Sequence, residues 1–210
     1  IKKMNLISVS GRNWILKKFN DSDVKKFTEE YSLSEIAAKL LSIRKKNIDN
    51  IDLFLKPTIK NLIPNPFKMK DMKNAVERTY KNIVEKDLIG IFGDYDVDGA
   101  TSTALLTRYF ALLKVRTKIY IPNRKTEGYG PNIEGFNKLI ELGAKVIFTV
   151  DCGTSSFEPI KLAQSKNTDV IVLDHHQSDV KLPNAYAIVN PNRYDDTSEL
   201  NYLCAVGVCF

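Results

Sequence analysis

The sequence predicts an α/β fold, a mainly parallel sheet flanked by helices, preceded by a basic, mostly helical N-terminal region. Three observations predict it. From residue 88 onward, apolar runs of strand length alternate with segments of helix length, the pattern of βαβ units. The runs are continuous in Val, Ile and Phe, as suits strands buried on both faces of a parallel sheet. Charge changes at the same place: residues 1–87 contain 19 Lys+Arg and 11 Asp+Glu, and residues 88–210 contain 12 and 14. Two parts are therefore expected, 1–87 and 88–210.

In the first part, residues 34–41 read as helix, with Ile36, Leu40 and Ile43 at helical spacing. A Pro-punctuated stretch follows, from Lys56-Pro57 to Pro64-Asn65-Pro66. Residues 71–84 read as a second helix, with Met72, Val76, Tyr80 and Val84 on one face and Asp71 as its N-cap. In the second part, strands are expected at 88–92, 118–121, 145–150 and 170–173, with helices at 101–113, 132–142 and 155–165 covering the sheet.

At 210 residues and 43% hydrophobic, the chain buries a real core. Cys152, Cys204 and Cys209 form neither a disulfide framework nor a zinc pattern, so a reducing, cytoplasmic setting is expected. No 18 apolar residues run together and no signal-peptide core is seen, which argues against membrane partners and export. The basic clusters Lys17-Lys18, Lys25-Lys26 and Arg44-Lys45-Lys46 suit a polyanion. A solvated surface is the plainer reading of lysine clusters alone.

The acidic residues fall at strand ends. The first strand runs into Gly93-Asp94-Tyr95-Asp96-Val97-Asp98-Gly99, the third into Asp151-Cys152-Gly153, and the fourth into Asp174-His175-His176, the chain's two histidines. In an open parallel sheet these ends share one rim, where ligands bind. Five carboxylates and two imidazoles gathered there call for neutralising cations. Carboxylate and imidazole without thiolate favour Mn²⁺, then Mg²⁺. Asp94 to Gly99 also resembles the start of an EF-hand loop, but its twelfth position is Leu105 and its flank reads as strand. A P-loop fails as well, because five residues separate Gly93 from Gly99 and Ala100 follows.

Other positions keep two readings. Gly99 serves a sharp turn or a close approach to a ligand. Thr154, Ser155 and Ser156 cap the next helix or hold phosphate at its N-terminus. Arg124 and Tyr129, in a polar loop after the second strand, are solvated or contact phosphate and a base. Cys152 reads as a small buried filler.

The blocks GDYDVDGATSTALL, IPNRKTEGYGPN, VDCGTSS, VLDHH and NPNR, in this order, closely resemble the DHH phosphoesterases, and within them the RecJ-like single-strand-specific exonucleases. The resemblance spans nearly the whole chain. It implies a metal-dependent phosphodiesterase degrading single-stranded DNA from 5′ to 3′ in repair and recombination, with two Mn²⁺ or Mg²⁺ ions. It implies Asp96, Asp98 and His175 as metal ligands, Asp94 as a supporting carboxylate or ligand, and Asp151 as a bridge. His176 would contact phosphate and Asp174 would orient the histidine pair; Arg124, Tyr129, Thr154 and Ser155 are further substrate-binding candidates by their place on the same rim, not by the resemblance. Implied partners are single-stranded DNA, a single-strand-binding protein and a helicase. Two other readings stay open: a hydrolase of short oligonucleotides or pyrophosphate, and a catalytically silent nucleic-acid-binding fragment.

Two departures are visible. Many members have a histidine ligand where this chain has Phe92. A further metal-binding aspartate of the family lies beyond the equivalent of residues 204–210. The chain ends there in an apolar run and begins at Ile1 with its first Met at position 4, so it is expected to be an N-terminal fragment.

Overall fold

The computed structural model describes residues 6–7, 9–15, 17–44 and 50–210. Lys45 and Lys46 of the third basic cluster, and the opening residues Ile1 and Met4, lie outside these. The chain forms two compact units, residues 1–63 and 64–210.

In the first unit a short antiparallel pair, β1 (Leu6–Ile7) and β2 (Asn13–Trp14), precedes helices α1 (Asp21–Tyr31), α2 (Glu35–Arg44), α3 (Ile51–Leu55) and α4 (Ile59–Leu62). Asn20 caps α1 by accepting the Ser22 N–H at 2.9 Å. Phe27 of α1 packs on Ala38 and Leu41 of α2. This is not the face expected of α2, because Ile36 and Leu40 are exposed. Ala38 and Leu41 face Phe27 instead, so the buried face of α2 is rotated from the one that Ile36 and Leu40 suggested. Lys25 and Lys26 lie near Glu29 and Glu30 at 3.9 and 3.7 Å, so this basic cluster is partly matched along its own helix.

The second unit comprises α5 (Met72–Glu85), β3 (Ile89–Phe92), α6 (Val97–Leu112), β4 (Thr117–Tyr120), α7 (Ile133–Glu141), β5 (Val146–Val150), α8 (Phe157–Ser165), β6 (Asp169–Leu173), β7 (Ala187–Val189) and α9 (Ala205–Cys209). The five strands are all parallel in the order β4-β3-β5-β6-β7. Successive side chains point to opposite faces. Ile89, Ile91, Val146, Phe148 and Ile171 pack on one side with Met72, Ala75, Phe110 and Val208 from α5, α6 and α9. Phe92, Ile147, Val170 and Val172 pack on the other with Phe136, Leu139, Ile160 and Ala163 from α7 and α8.

The four expected strands form within a residue of their expected ends, and the α/β class with its mainly parallel sheet is as expected. β7 was not expected, since three residues carry no readable period. α6 starts at Val97, not 101, because Asp96 caps it by accepting the Gly99 N–H at 3.0 Å. α5 turns Met72 and Ala75 inward, while Val76, Tyr80 and Val84 are exposed. Asp71 occupies the N-cap position of α5 but makes no capping bond. Its carboxylate instead accepts from the Ile188 N–H at 3.2 Å and from Arg193 Nη1 at 2.7 Å. These bonds tie α5 to β7, so contacts divide at 63/64 although composition changes at 87/88. Among the described residues, no helix is long and apolar enough to cross a membrane.

Candidate metal centre

Because β3, β5 and β6 are neighbours, the loops leaving their C-terminal ends adjoin. Asp94 follows β3 and is 2% exposed, and its Oδ1 has no hydrogen-bond partner among the described residues. Burial raises its pKa above the ordinary carboxylate range. Asp96, two residues on, is held below that range by the Gly99 N–H. Gly99 is required by a close approach, though not to a ligand: a Cβ there would sit 2.6 Å from Asp94 Cβ and 2.7 Å from the Asp94 carbonyl oxygen. Asp98, in the first turn of α6, accepts the N–H groups of Ala205 at 2.7 Å and Val206 at 2.9 Å, and so anchors the start of α9.

Asp151 follows β5 with φ 61°, a left-handed conformation uncommon outside glycine. Its N–H donates to Leu173 at 3.0 Å, and its carbonyl accepts the Tyr129 hydroxyl at 2.9 Å. These bonds hold the uncommon conformation. The carboxylate is buried, with Oδ1 3.2 Å from His175 Nε2 but not aligned for a hydrogen bond. Burial, with Asp96 and Asp98 nearby, pushes its pKa up to about 7. His175 Nε2 also lies 3.6 Å from Asp98 Oδ2.

Asp174 differs, because five donors converge on it. Oδ2 accepts from the Thr154 N–H at 3.1 Å and Oγ1 at 2.6 Å. Oδ1 accepts from the backbone N–H groups of His175 at 2.7 Å and His176 at 3.2 Å, and from His176 Nδ1 at 2.7 Å. Burial alone would raise its pKa, but the bonds from His176 and Thr154 outweigh it and hold the carboxyl at about 2. In return the Asp174 bond raises the pKa of His176.

Ligand atoms of Asp94, Asp96 and Asp151 lie within 4.8 Å of one another, as do those of Asp151, His175 and His176. Asp151 belongs to both groups. Two buried carboxylate oxygens without partners, on Asp94 and Asp151, are costly unless a cation compensates them. The all-oxygen and imidazole donor set fits a divalent ion such as Mn²⁺ or Mg²⁺. Asp98 falls outside both groups and borders them through His175.

The remaining expected residues are less central. Arg124 stacks over the Tyr95 ring with 5.2 Å to its centroid. The Tyr129 hydroxyl braces Asp151 and lies 3.4 Å from His176 Nδ1. Thr154 is committed to Asp174, and Ser156 at the N-cap of α8 makes no capping bond, so the hydroxyls do not cap α8 through side-chain bonds. Ser155 lines, with Tyr129, Thr154 and His176, a cleft of about 600 Å³ in front of α8. Cys152 is a buried filler whose thiol pKa burial drives well up. Phe92 is core, its ring 5.3 Å from Tyr120 and 5.7 Å from Phe136 between centroids. Three residues had no expected role. Glu127 accepts from the Tyr120 hydroxyl, the Asn123 N–H and Asn132, and so shapes the loop carrying Arg124 and Tyr129. Asn190 and Asn192 bond to the histidine backbone; the NPNR block was their only sequence signal.

Residues 88–210 match the DHH family, N-terminal domain. The single-stranded-DNA-specific exonuclease RecJ of Bacillus subtilis is 36% identical over 204 residues, covering 96% of this chain and 26% of that protein. RecJ of Escherichia coli is 38% identical over 157 residues, covering 74% and 27%. The chain thus spans about a quarter of the length of these relatives. A crystal structure of exonuclease RecJ bound to manganese superimposes with a TM-score of 0.61 at 30% identity, over 67% of this chain and 36% of that one. RecJ from Thermus thermophilus in complex with Mn²⁺ gives 0.68 at 22% identity, over 93% and 27%, a likeness of fold.

Proposed function

The chain belongs to the DHH family, and from that premise we propose that it carries the metal-holding part of a phosphodiesterase that degrades single-stranded DNA, as its RecJ relatives are named. One observation carries this reading: Asp94 and Asp151 present buried, partnerless carboxylate oxygens on the rim that also bears Asp96, Asp98, His175 and His176. Asp94, Asp96, Asp98, Asp151 and His175 would hold two Mn²⁺ or Mg²⁺ ions, Asp151 being the residue common to both ligand groups. Such ions supply charge stabilisation and a water of lowered pKa for in-line displacement at phosphorus. Asp174 keeps the His176 ring oriented and its pKa raised, so that the imidazole donates to a phosphate oxygen. Tyr129 holds the Asp151 carbonyl and closes one side of the cleft, while Ser155 and Arg124 offer further phosphate donors.

On this reading residues 88–210 form the catalytic subdomain, and the basic residues upstream hold the strand backbone in a salt-sensitive way. Cleavage runs 5′ to 3′ in cytoplasmic DNA repair and recombination, alongside a single-strand-binding protein and a helicase. The test pairs Mn²⁺ titration of the chain with release of nucleotides from 5′-labelled single-stranded DNA. Binding and release, both lost in Asp151→Asn, are expected. Failure to bind Mn²⁺ overturns the metal centre, and cleavage of pyrophosphate with single strands left intact overturns the substrate.

A further inference from the structure

Asp174, His175 and His176 leave β6 for a stretch without regular structure, so their backbone needs other partners. The last rung between β6 and β7 is the Asp174 N–H donating to the Val189 carbonyl at 3.1 Å. Two residues beyond Val189 comes Pro191, which has no N–H to continue a ladder. The side chains on either side of that proline take over. Asn190 Nδ2 donates to the His176 carbonyl at 2.9 Å, and Asn192 Nδ2 donates to the His175 carbonyl at 2.5 Å. We infer that Asn190 and Asn192 are positioning residues of the metal centre, a two-amide clamp that fixes the peptide planes of both histidines and hence the directions of their imidazoles.

The clamp is itself fixed. Asn190 is fully buried, and its Oδ1 accepts the Asn192 N–H at 2.8 Å, locking one amide to the other. Asn190 Nδ2 also donates to Thr154 Oγ1 at 2.9 Å, and that hydroxyl donates to Asp174 Oδ2 at 2.6 Å. One amide therefore reaches the histidine pair from both sides, through the His176 carbonyl and through the carboxylate that holds the His176 ring. Arg193 anchors the segment by donating from Nη1 to the Ile188 carbonyl at 2.6 Å and to Asp71 at 2.7 Å. Ligand geometry commonly depends on such outer contacts, whose loss costs about 10- to 100-fold in metal affinity.

This inference rests on the reading that the histidine pair serves a divalent ion, and its test separates the two. Asn192 is partly solvent-accessible, so Asn192→Ala admits water, while Asn192→Asp keeps the volume but sets an acceptor against a carbonyl. The chain has two histidines, so ¹⁵N-detected imidazole signals of the metal-free protein report directly on this pair. Both variants are expected to shift these signals and to weaken Mn²⁺ binding by roughly 10- to 100-fold, with cooperative unfolding retained. Unchanged imidazole signals and Mn²⁺ affinity in a folded variant overturn the clamp. If the unsubstituted chain binds no Mn²⁺, the metal reading fails and the imidazole signals alone decide the clamp. Should Asn192→Ala not fold, Asn192→Asp decides.

Discussion

Replacing Asp151 by asparagine should stabilise the metal-free protein at neutral pH while abolishing Mn²⁺ binding. Asp151 is 2% exposed, and burial together with Asp96 and Asp98 raises its pKa from 3.8 to about 7. An acid whose folded pKa lies above its unfolded value contributes stability below pH ~4, and that contribution is lost as pH rises through about 7. A rise of roughly three in pKa corresponds to about 4 kcal/mol. Part of this belongs to repulsion shared with Asp96 and Asp98, so the neutral variant should recover about 2–4 kcal/mol at pH 8 and almost nothing near pH 4. Asparagine keeps the volume, and Asp151 Oδ1 has no hydrogen bond to lose. Urea denaturation in EDTA at pH 4, 6 and 8 measures the difference. Mn²⁺ at about 1,000 times its Kd should then close or reverse the difference, since a ligand stabilises only the form that binds it, here by about 4.1 kcal/mol. Equal stabilities in EDTA at pH 8, or an equal gain from Mn²⁺, would refute the electrostatic reasoning.

Arg193→Ala removes the buried guanidinium that bonds to Asp71, Asp195 and the Ile188 carbonyl; discounted for the partial exposure of both carboxylates, the loss should be about 3 kcal/mol by urea denaturation. Bonds from Arg193 and Lys70 hold Asp195 at about 2, so this contribution is present above pH ~4 and lost as pH falls towards about 2, and the gap between the two proteins should narrow in acid. A constant gap from pH 7 to 2 would contradict that assignment. Gly99→Ala should lower the melting temperature and weaken Mn²⁺ binding, because the new Cβ meets the Asp94 backbone at 2.7 Å and this outweighs the helix-propensity gain of about 1 kcal/mol. A higher melting temperature with unchanged Mn²⁺ affinity would show that α6 relaxes freely.

The sheet was legible because its strands are runs such as Val146-Ile147-Phe148-Thr149-Val150, whose burial on both faces leaves a continuous apolar signature. The helices were legible in place but less so in orientation. On α2 and α5 the large apolar residues Ile36, Leu40, Val76 and Tyr80 suggested the inner face, yet small Ala38 and Ala75 are buried. Leu41 and Met72 are buried with them, so the inner faces are rotated from the large apolar stripes, a shift that spacing alone does not report. Asp71 was legible as a helix boundary but not as the carboxylate joining α5 to Arg193, because its partner is distant in sequence.

The rim shows the same limit more sharply. Five aspartates of one chemical type follow three strands, and the sequence offers no reason to separate them electrostatically. Their surroundings do so. Asp96, Asp98 and Asp174 each accept backbone N–H groups, at the starts of α6 and α9 and in the histidine loop. Asp94 and Asp151 each keep a buried oxygen without a partner, and burial raises both pKa values. A donor-rich carboxylate stabilises the fold without any ligand; a donor-poor one is tolerated only where something else supplies positive charge. The carboxylates that cost the metal-free fold most are therefore the ones a divalent ion gains most by meeting. That argues for ranking Asp94 alongside Asp151, as a ligand and not a supporting carboxylate, the two parts that the family resemblance left open for it. Asp94→Asn should accordingly weaken Mn²⁺ binding about as strongly as Asp151→Asn in the same titration, and a loss confined to Asp151→Asn would return Asp94 to a supporting place.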